Sequence, residues 1–109
     1  MIDAHHHLWD LSKVHYPWLE AKGVVRFFGD PTPIQRNYLL KEFRENAKVE
    51  GFRASVHIQV GAADPVAEAM WLDSIAEANP DWPLVQVVHC DLTSPTLDKD
   101  LDLVQTIPS

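Results

Sequence analysis

Three β-rich segments, each followed by a helical segment, constrain the fold of this chain more than any other feature. The β-rich segments lie near residues 1–8, 53–60 and 84–91, and the helical segments near 37–47, 65–78 and 95–105. Asp64-Pro65 and Ser94-Pro95 each supply a cap and a first-turn proline, which commonly begin a helix. Strands that alternate with helices need crossover connections, and these make the strands parallel. The sequence therefore predicts an α/β fold with three parallel strands.

Two architectures are built from successive βα units of this kind. One is a doubly wound open sheet, and the other is a (β/α)8 barrel. A barrel takes about 250 residues, whereas this chain has 109. Under the barrel interpretation more than half of the domain is missing, so the sequence looks like a fragment.

Composition excludes several function classes. The chain has 9 Lys and Arg against 16 Asp and Glu, a formal net charge of -7, so no basic stripe is available for nucleic acid. Cys90 is the only cysteine, which rules out an internal disulfide and fits a reducing compartment. No apolar stretch approaches the roughly 18 residues that span a bilayer, and the N-terminus lacks the features of a signal peptide. We expect a cytoplasmic protein with no nucleic-acid or membrane partner.

A histidine triplet in the first predicted strand is the strongest chemical signal. Side chains alternate along a strand, so His5 and His7 share one face and His6 lies on the other. Two imidazoles on one face can bind a single divalent ion such as zinc at about 2.0 to 2.1 Å. A tag remnant is the alternative, but Asp3 and Trp9 embed the triplet in a native-looking strand.

The same alternation proposes weaker candidates on the other two strands. The helices of an α/β fold should cover the apolar face of the second strand, which carries Val56 and Ile58, so that Gln59 faces the substrate crevice. On the third strand His89 and Asp91 fall together near the carboxyl end. A structural, hydrogen-bonded role is the alternative for these three residues.

These residues occur in passages that resemble a known family. The passages are IDAHHHLWDL with YPWL at 16–19, SVHIQVG at 55–61 followed by AEAMWL, and VVHCDLTSP at 87–95. They resemble the amidohydrolase superfamily, in particular the amidohydrolase-related branch of sugar-lactone and aromatic-pathway lactone hydrolases. The resemblance implies that residues 1–109 are the N-terminal three βα units of a truncated (β/α)8 TIM barrel. It also implies that His5 and His7 are catalytic and metal-ligating residues, completed by a later histidine and aspartate outside this chain.

The reaction that the resemblance implies is hydrolysis of a lactone or cyclic ester. An activated water attacks the carbonyl carbon, and a divalent metal, with zinc the first expectation, or the histidines themselves polarise the substrate. Gln59, His89 and Asp91 are then substrate-binding candidates. A decarboxylase of the same superfamily and an inactive fragment are the alternatives. Because a catalytic zinc usually has three protein ligands, we expect the chain alone to have little activity.

Overall fold

The computed structural model describes residues 1–109, and its centre is a parallel sheet of three strands in the order β1-β2-β3. Both strand pairs are parallel, which confirms the predicted pairing. The elements in chain order are β1 (Ile2–His6), α1 (Pro17–Glu20), a 3-10 turn (Thr32–Ile34), α2 (Leu40–Val49), β2 (Ala54–Ile58), α3 (Pro65–Ala78), β3 (Leu84–Val87) and α4 (Leu97–Gln105).

The prediction of a truncated barrel is wrong. The structure is a small compact unit in which four helices accompany an open three-stranded sheet, with a radius of gyration of 14.9 Å. The long segment between β1 and α2 forms a second hydrophobic cluster in which Val14, Tyr16 and Leu19 pack with Val60. Alternating strands and helices predict parallel pairing, but they carry no information on whether the sheet closes.

The helix at 65–78 was predicted with its observed bounds because its beginning is encoded locally. The Asp64 carboxylate accepts hydrogen bonds from the backbone N–H groups of Val66 and Ala67, and Pro65 occupies the first turn. Helices α2 and α4 begin two or three residues later than predicted. Ser94 does not cap α4. Thr96 is the residue that precedes α4, and no side chain accepts a hydrogen bond from the first N–H groups of that helix.

The two faces of the sheet differ sharply in exposure. Helices α2 and α3 cover one face, where Ser55 and His57 of β2 are 2% and 1% exposed. The open face carries Val85 and Val87, which are 53% and 49% exposed and pair with the apolar positions of β2. The prediction that helices cover the apolar face of β2 is therefore wrong. The polar Ser55 can lie beneath the helices because its hydroxyl has a partner. The indole N–H of Trp82 donates a hydrogen bond to that hydroxyl.

The main core lies between the covered face and the two longest helices. Its seven buried members come from the end of β1, from α2, from α3 and from the approach to β3, and they are Leu8, Leu40, Phe43, Ala47, Leu72, Trp82 and Leu84. None of the helices combines the length and the apolar character needed to span a bilayer.

Candidate functional site

The histidine triplet divides between the two faces of the sheet. His6 is only 6% exposed and stacks on Phe43 of α2, with ring centroids 4.1 Å apart. His5 is exposed, His7 is half-buried, and their rings meet edge to face at 5.0 Å. A register shift between Asp3 and His6 marks an irregularity in the strand at this point. His5 and His7 thus lie side by side, whereas His6 is buried against Phe43. The His7 ring, just beyond the end of β1, also lies 6.4 Å from the His57 ring.

The imidazole of His7 is held in one orientation. Its Nδ1 lies 2.9 Å from the carbonyl oxygen of Ile58 at the end of β2. Because a carbonyl oxygen can only accept, Nδ1 carries the hydrogen and donates it. The neutral ring then presents Nε2 with a free lone pair, the arrangement that orients histidine ligands and bases.

A cavity of about 610 Å³ opens beside His7, and Gln59 lines it too. The Gln59 carbonyl oxygen Oε1 accepts the backbone N–H of Gly61 at 2.7 Å, so its amide NH2 makes no hydrogen bond within the chain. Strand alternation would place Gln59 on the covered face with His57, but β2 ends at Ile58, and Gln59 lines the cavity from just beyond the end of the strand. The cavity, which we call the His7 cavity, therefore combines a hydrogen-bond acceptor with a donor.

Two side chains fix the loop that forms one wall of the His7 cavity. The Trp18 indole N–H donates to the carbonyl oxygen of Val60 at 2.6 Å, and the Glu68 carboxylate accepts the N–H of Val60 at 2.9 Å. Gly61 follows with a φ of +74°, and a Cβ there would lie 3.4 Å from the Trp18 Nε1. Since L side chains rarely adopt this φ, the close approach of Trp18 depends on glycine.

A second cavity of about 370 Å³ shares His7, Trp9 and Ile34 with the first, and His6 also lines it. We call it the Tyr38 cavity. The Trp9 indole N–H donates to the carbonyl oxygen of Arg36, and the Arg36 guanidinium forms an ion pair with Glu42 at 2.8 Å. Tyr38 and Phe43 supply aromatic surface on the other side.

The residues present fit part of a zinc site. Imidazole is a favoured zinc ligand, and the free Nε2 of His7 with its Nδ1 bound to a carbonyl is the geometry that ligating histidines adopt. His5 lies beside it. No group of three or more His, Cys, Asp or Glu side chains is placed to hold a metal ion. His5 and His7 are therefore candidate ligands, one fewer than the three protein ligands that a catalytic zinc usually has.

The structure does not bring His89 and Asp91 to this site. Both lie beyond β3, which ends at Val87, and both are exposed. The Asp91 carboxylate accepts hydrogen bonds from the hydroxyl and the N–H of Thr93, and these hold the pKa of Asp91 below its usual value. Strand alternation could not place them, because the strand is four residues shorter than predicted.

Sequence reasoning missed the role of a buried acid. Glu68 is 3% exposed, and burial raises the pKa of its carboxyl above the usual range, although the Val60 N–H partly offsets the effect. Burial also raises the pKa of Tyr16, and the charge of Glu68 adds to that shift. A signal existed in the sequence, because Glu68 falls at helical spacing with the apolar residues Leu72 and Ile75.

The buried histidines have a different electrostatic character from His5 and His7. Burial lowers the pKa of His6 and of His57 to about 4, because the charged imidazolium loses its hydration. His57 Nε2 lies 3.3 Å from the carbonyl oxygen of Leu8, whereas neither ring nitrogen of His6 has a partner. These two rings are neutral packing elements at neutral pH.

The similarity to one known protein extends over most of this chain. The chain is 36% identical over 104 residues to the uncharacterized protein y4mH of Sinorhizobium fredii (strain NBRC 101917 / NGR234). The match covers 94% of this chain and 35% of that protein, so the chain spans about a third of its relative. No family model matches the chain, and no solved structure matches it.

Proposed function

We propose that this chain carries the histidine and glutamine half of a hydrolase site that acts on a lactone or cyclic ester. The observation that carries the proposal is the hydrogen bond from His7 Nδ1 to the Ile58 carbonyl, which leaves Nε2 free in a cavity that Gln59 also lines. The resemblance of the first strand to amidohydrolase-related proteins supports the same assignment. The single cysteine favours a cytoplasmic location.

The proposed reaction uses one base and one hydrogen-bond donor. His7 Nε2 takes a proton from water, and the resulting hydroxide attacks the carbonyl carbon of the ring. The Gln59 amide NH2 donates to the carbonyl oxygen as negative charge develops there. The ring C–O bond then breaks, and the imidazolium returns its proton to the departing alkoxide. One lactone and one water give one hydroxy acid.

His5 and the metal have a secondary part in this proposal. His5 and His7 would hold a zinc ion, which when bound supplies Lewis-acid polarisation of a carbonyl. Because these two imidazoles lack a third protein ligand, zinc binding by this chain is weak. The proposed reaction uses His7 and Gln59 and needs no zinc, so we expect the chain alone to open a lactone slowly but measurably, in a reaction that depends on His7.

An assay of ring opening on a panel of lactones tests the proposal. Acid release by the purified chain is compared with the His7→Ala variant and with His15→Ala, which removes an exposed histidine that pairs with Glu20 outside the cavity. A positioned base contributes about a hundredfold or more. We expect His7→Ala to abolish the rate above buffer and His15→Ala to retain it.

Two results would contradict the proposal. One is a rate no higher than that of buffer for every lactone. The other is equal loss of the rate in His7→Ala and His15→Ala. Far-ultraviolet circular dichroism of the variants separates a lost site from a lost fold.

A further inference from the structure

The walls of the His7 cavity restrict the kind of lactone that fits it. Trp9, Trp18 and Phe28 give it three aromatic side chains, and Ile34 adds an aliphatic one. No Asp, Glu, Lys or Arg side chain lines it. Aromatic walls of this kind gain free energy by covering apolar surface of a ligand.

The polar groups of the His7 cavity are few, and most are already paired. The Trp18 N–H is bonded to Val60 and the His7 Nδ1–H to Ile58. The His7 Nε2 and the Gln59 NH2 remain, which is enough for one water and one carbonyl. A hydroxyl group that faces the aromatic walls would lose its hydration without gaining a partner, and each such group costs free energy.

The adjoining Tyr38 cavity extends the apolar surface without adding a free positive charge. It meets the His7 cavity at His7, Trp9 and Ile34, so a substituent on the lactone ring can extend from one into the other. Its single cation, Arg36, is bonded through both terminal nitrogens to Glu42. A carboxylate on the ligand would therefore find no unpaired cation in either cavity.

From these contacts we infer that the site is selective for an uncharged lactone that carries an apolar or aromatic substituent. The carbonyl lies at His7 and Gln59, and the substituent packs among Trp9, Phe28 and the Tyr38 cavity. Polyhydroxylated lactones and lactones with a carboxylate are discriminated against. This inference rests on the proposed function for the orientation of the carbonyl.

Binding can be measured separately from turnover, because Trp9 and Trp18 line the cavity and their fluorescence reports occupancy. The probes are γ-phenyl-γ-butyrolactone, γ-carboxy-γ-butyrolactone and glucono-δ-lactone. We expect the phenyl compound to bind at least about tenfold more tightly than either of the others, a difference of about 1.4 kcal/mol.

A matched pair of variants locates the binding. Phe28 lines the cavity and is 53% exposed, whereas its neighbour Phe27 is fully exposed, lines neither cavity and touches the Phe28 ring only edge to face at 5.3 Å. Phe28→Ala should weaken binding of the phenyl compound about fivefold or more, and Phe27→Ala should leave it unchanged. Both changes remove exposed rings, so both variants should fold.

The outcomes separate this inference from the proposed function. Selective binding that is lost in Phe28→Ala, without turnover, supports the inference and contradicts the proposed reaction. Turnover that depends on His7 but is equal for all three lactones contradicts the inference and leaves the reaction standing. Equal affinity for the three probes, or equal effects of Phe27→Ala and Phe28→Ala, overturns the inference.

Discussion

The covered face of the sheet and the segment that follows β1 use the same residue type in opposite ways. On the covered face, His6 and His57 are packed under α2 and α3, and their low pKa values keep them neutral. Beyond the end of β1, His7 is held by one hydrogen bond and keeps a free ring nitrogen beside a cavity. The comparison teaches that the hydrogen-bond partners and burial of each ring decide whether a histidine packs in the core or is available for chemistry. Membership of the histidine triplet does not decide it.

The largest effect should come from the apolar part of the covered face. Leu72 is fully buried in the main core, so Leu72→Ala should lower the free energy of unfolding by about 2 to 5 kcal/mol. Val87 on the open face is half-exposed, and Val87→Ala should cost at most about 1 kcal/mol. Urea unfolding of both variants checks the difference. Equal costs would contradict the assignment of the two faces.

The free energy of unfolding should fall as the pH is lowered. His6 and His57 bind a proton more readily in the unfolded chain, where their pKa is 6.5, than in the folded chain, where it is about 4. Stability is therefore complete above about pH 6.5 and is lost as the pH falls toward 4. Between pH 7 and pH 5 the loss should be on the order of 2 kcal/mol for each histidine. Urea unfolding at the two pH values measures it.

Protonation of Glu68 has the opposite effect on the free energy of unfolding. Because its pKa is raised in the folded chain, falling pH favours the folded state through this group and offsets part of the histidine effect. His6→Phe should reduce the pH dependence by about half, since His57 remains. An unfolding free energy that stays constant from pH 7 to pH 5 would show that the two rings are not buried as described.

The third prediction is a gain in stability. Neither ring nitrogen of His6 has a hydrogen-bond partner, although the ring stacks well on Phe43. His6→Phe keeps the ring and removes the unpaired groups, so it should raise the free energy of unfolding at pH 7 by about 1 kcal/mol. His57→Phe is the control, because it also removes the contact with the Leu8 carbonyl and should give no gain. A loss of stability in His6→Phe would contradict this reading of the covered face.

The elements that the sequence predicts well are those with local signals. Asp64 and Pro65 encode the beginning of α3 in their own side chains, and the predicted helix has the observed bounds. Strand alternation also accounts for the burial of His6 between the more exposed His5 and His7. Whether the sheet closes depends on contacts between distant segments, such as Val14 and Val60, and no local pattern reports these.

The candidate site was predictable only in part. Alternation predicted the wrong covered face for β2, because a serine and a histidine there are satisfied by Trp82 and by the Leu8 carbonyl. It also failed for Asp91, which lies beyond the end of β3 and bonds to Thr93. Gln59 shares a cavity with His7 although it lies beyond the last residue of β2, where strand alternation no longer applies.

The protonation state of the His7 ring tests the central claim most directly. A long-range proton–nitrogen correlation spectrum identifies which ring nitrogen carries the hydrogen, at a pH where the imidazole is neutral. The hydrogen bond to the Ile58 carbonyl predicts that Nδ1 is protonated and that Nε2 shows the shift of an unprotonated nitrogen. A spectrum that places the hydrogen on Nε2 would mean that the cavity has no base. That result would contradict the proposed role of His7.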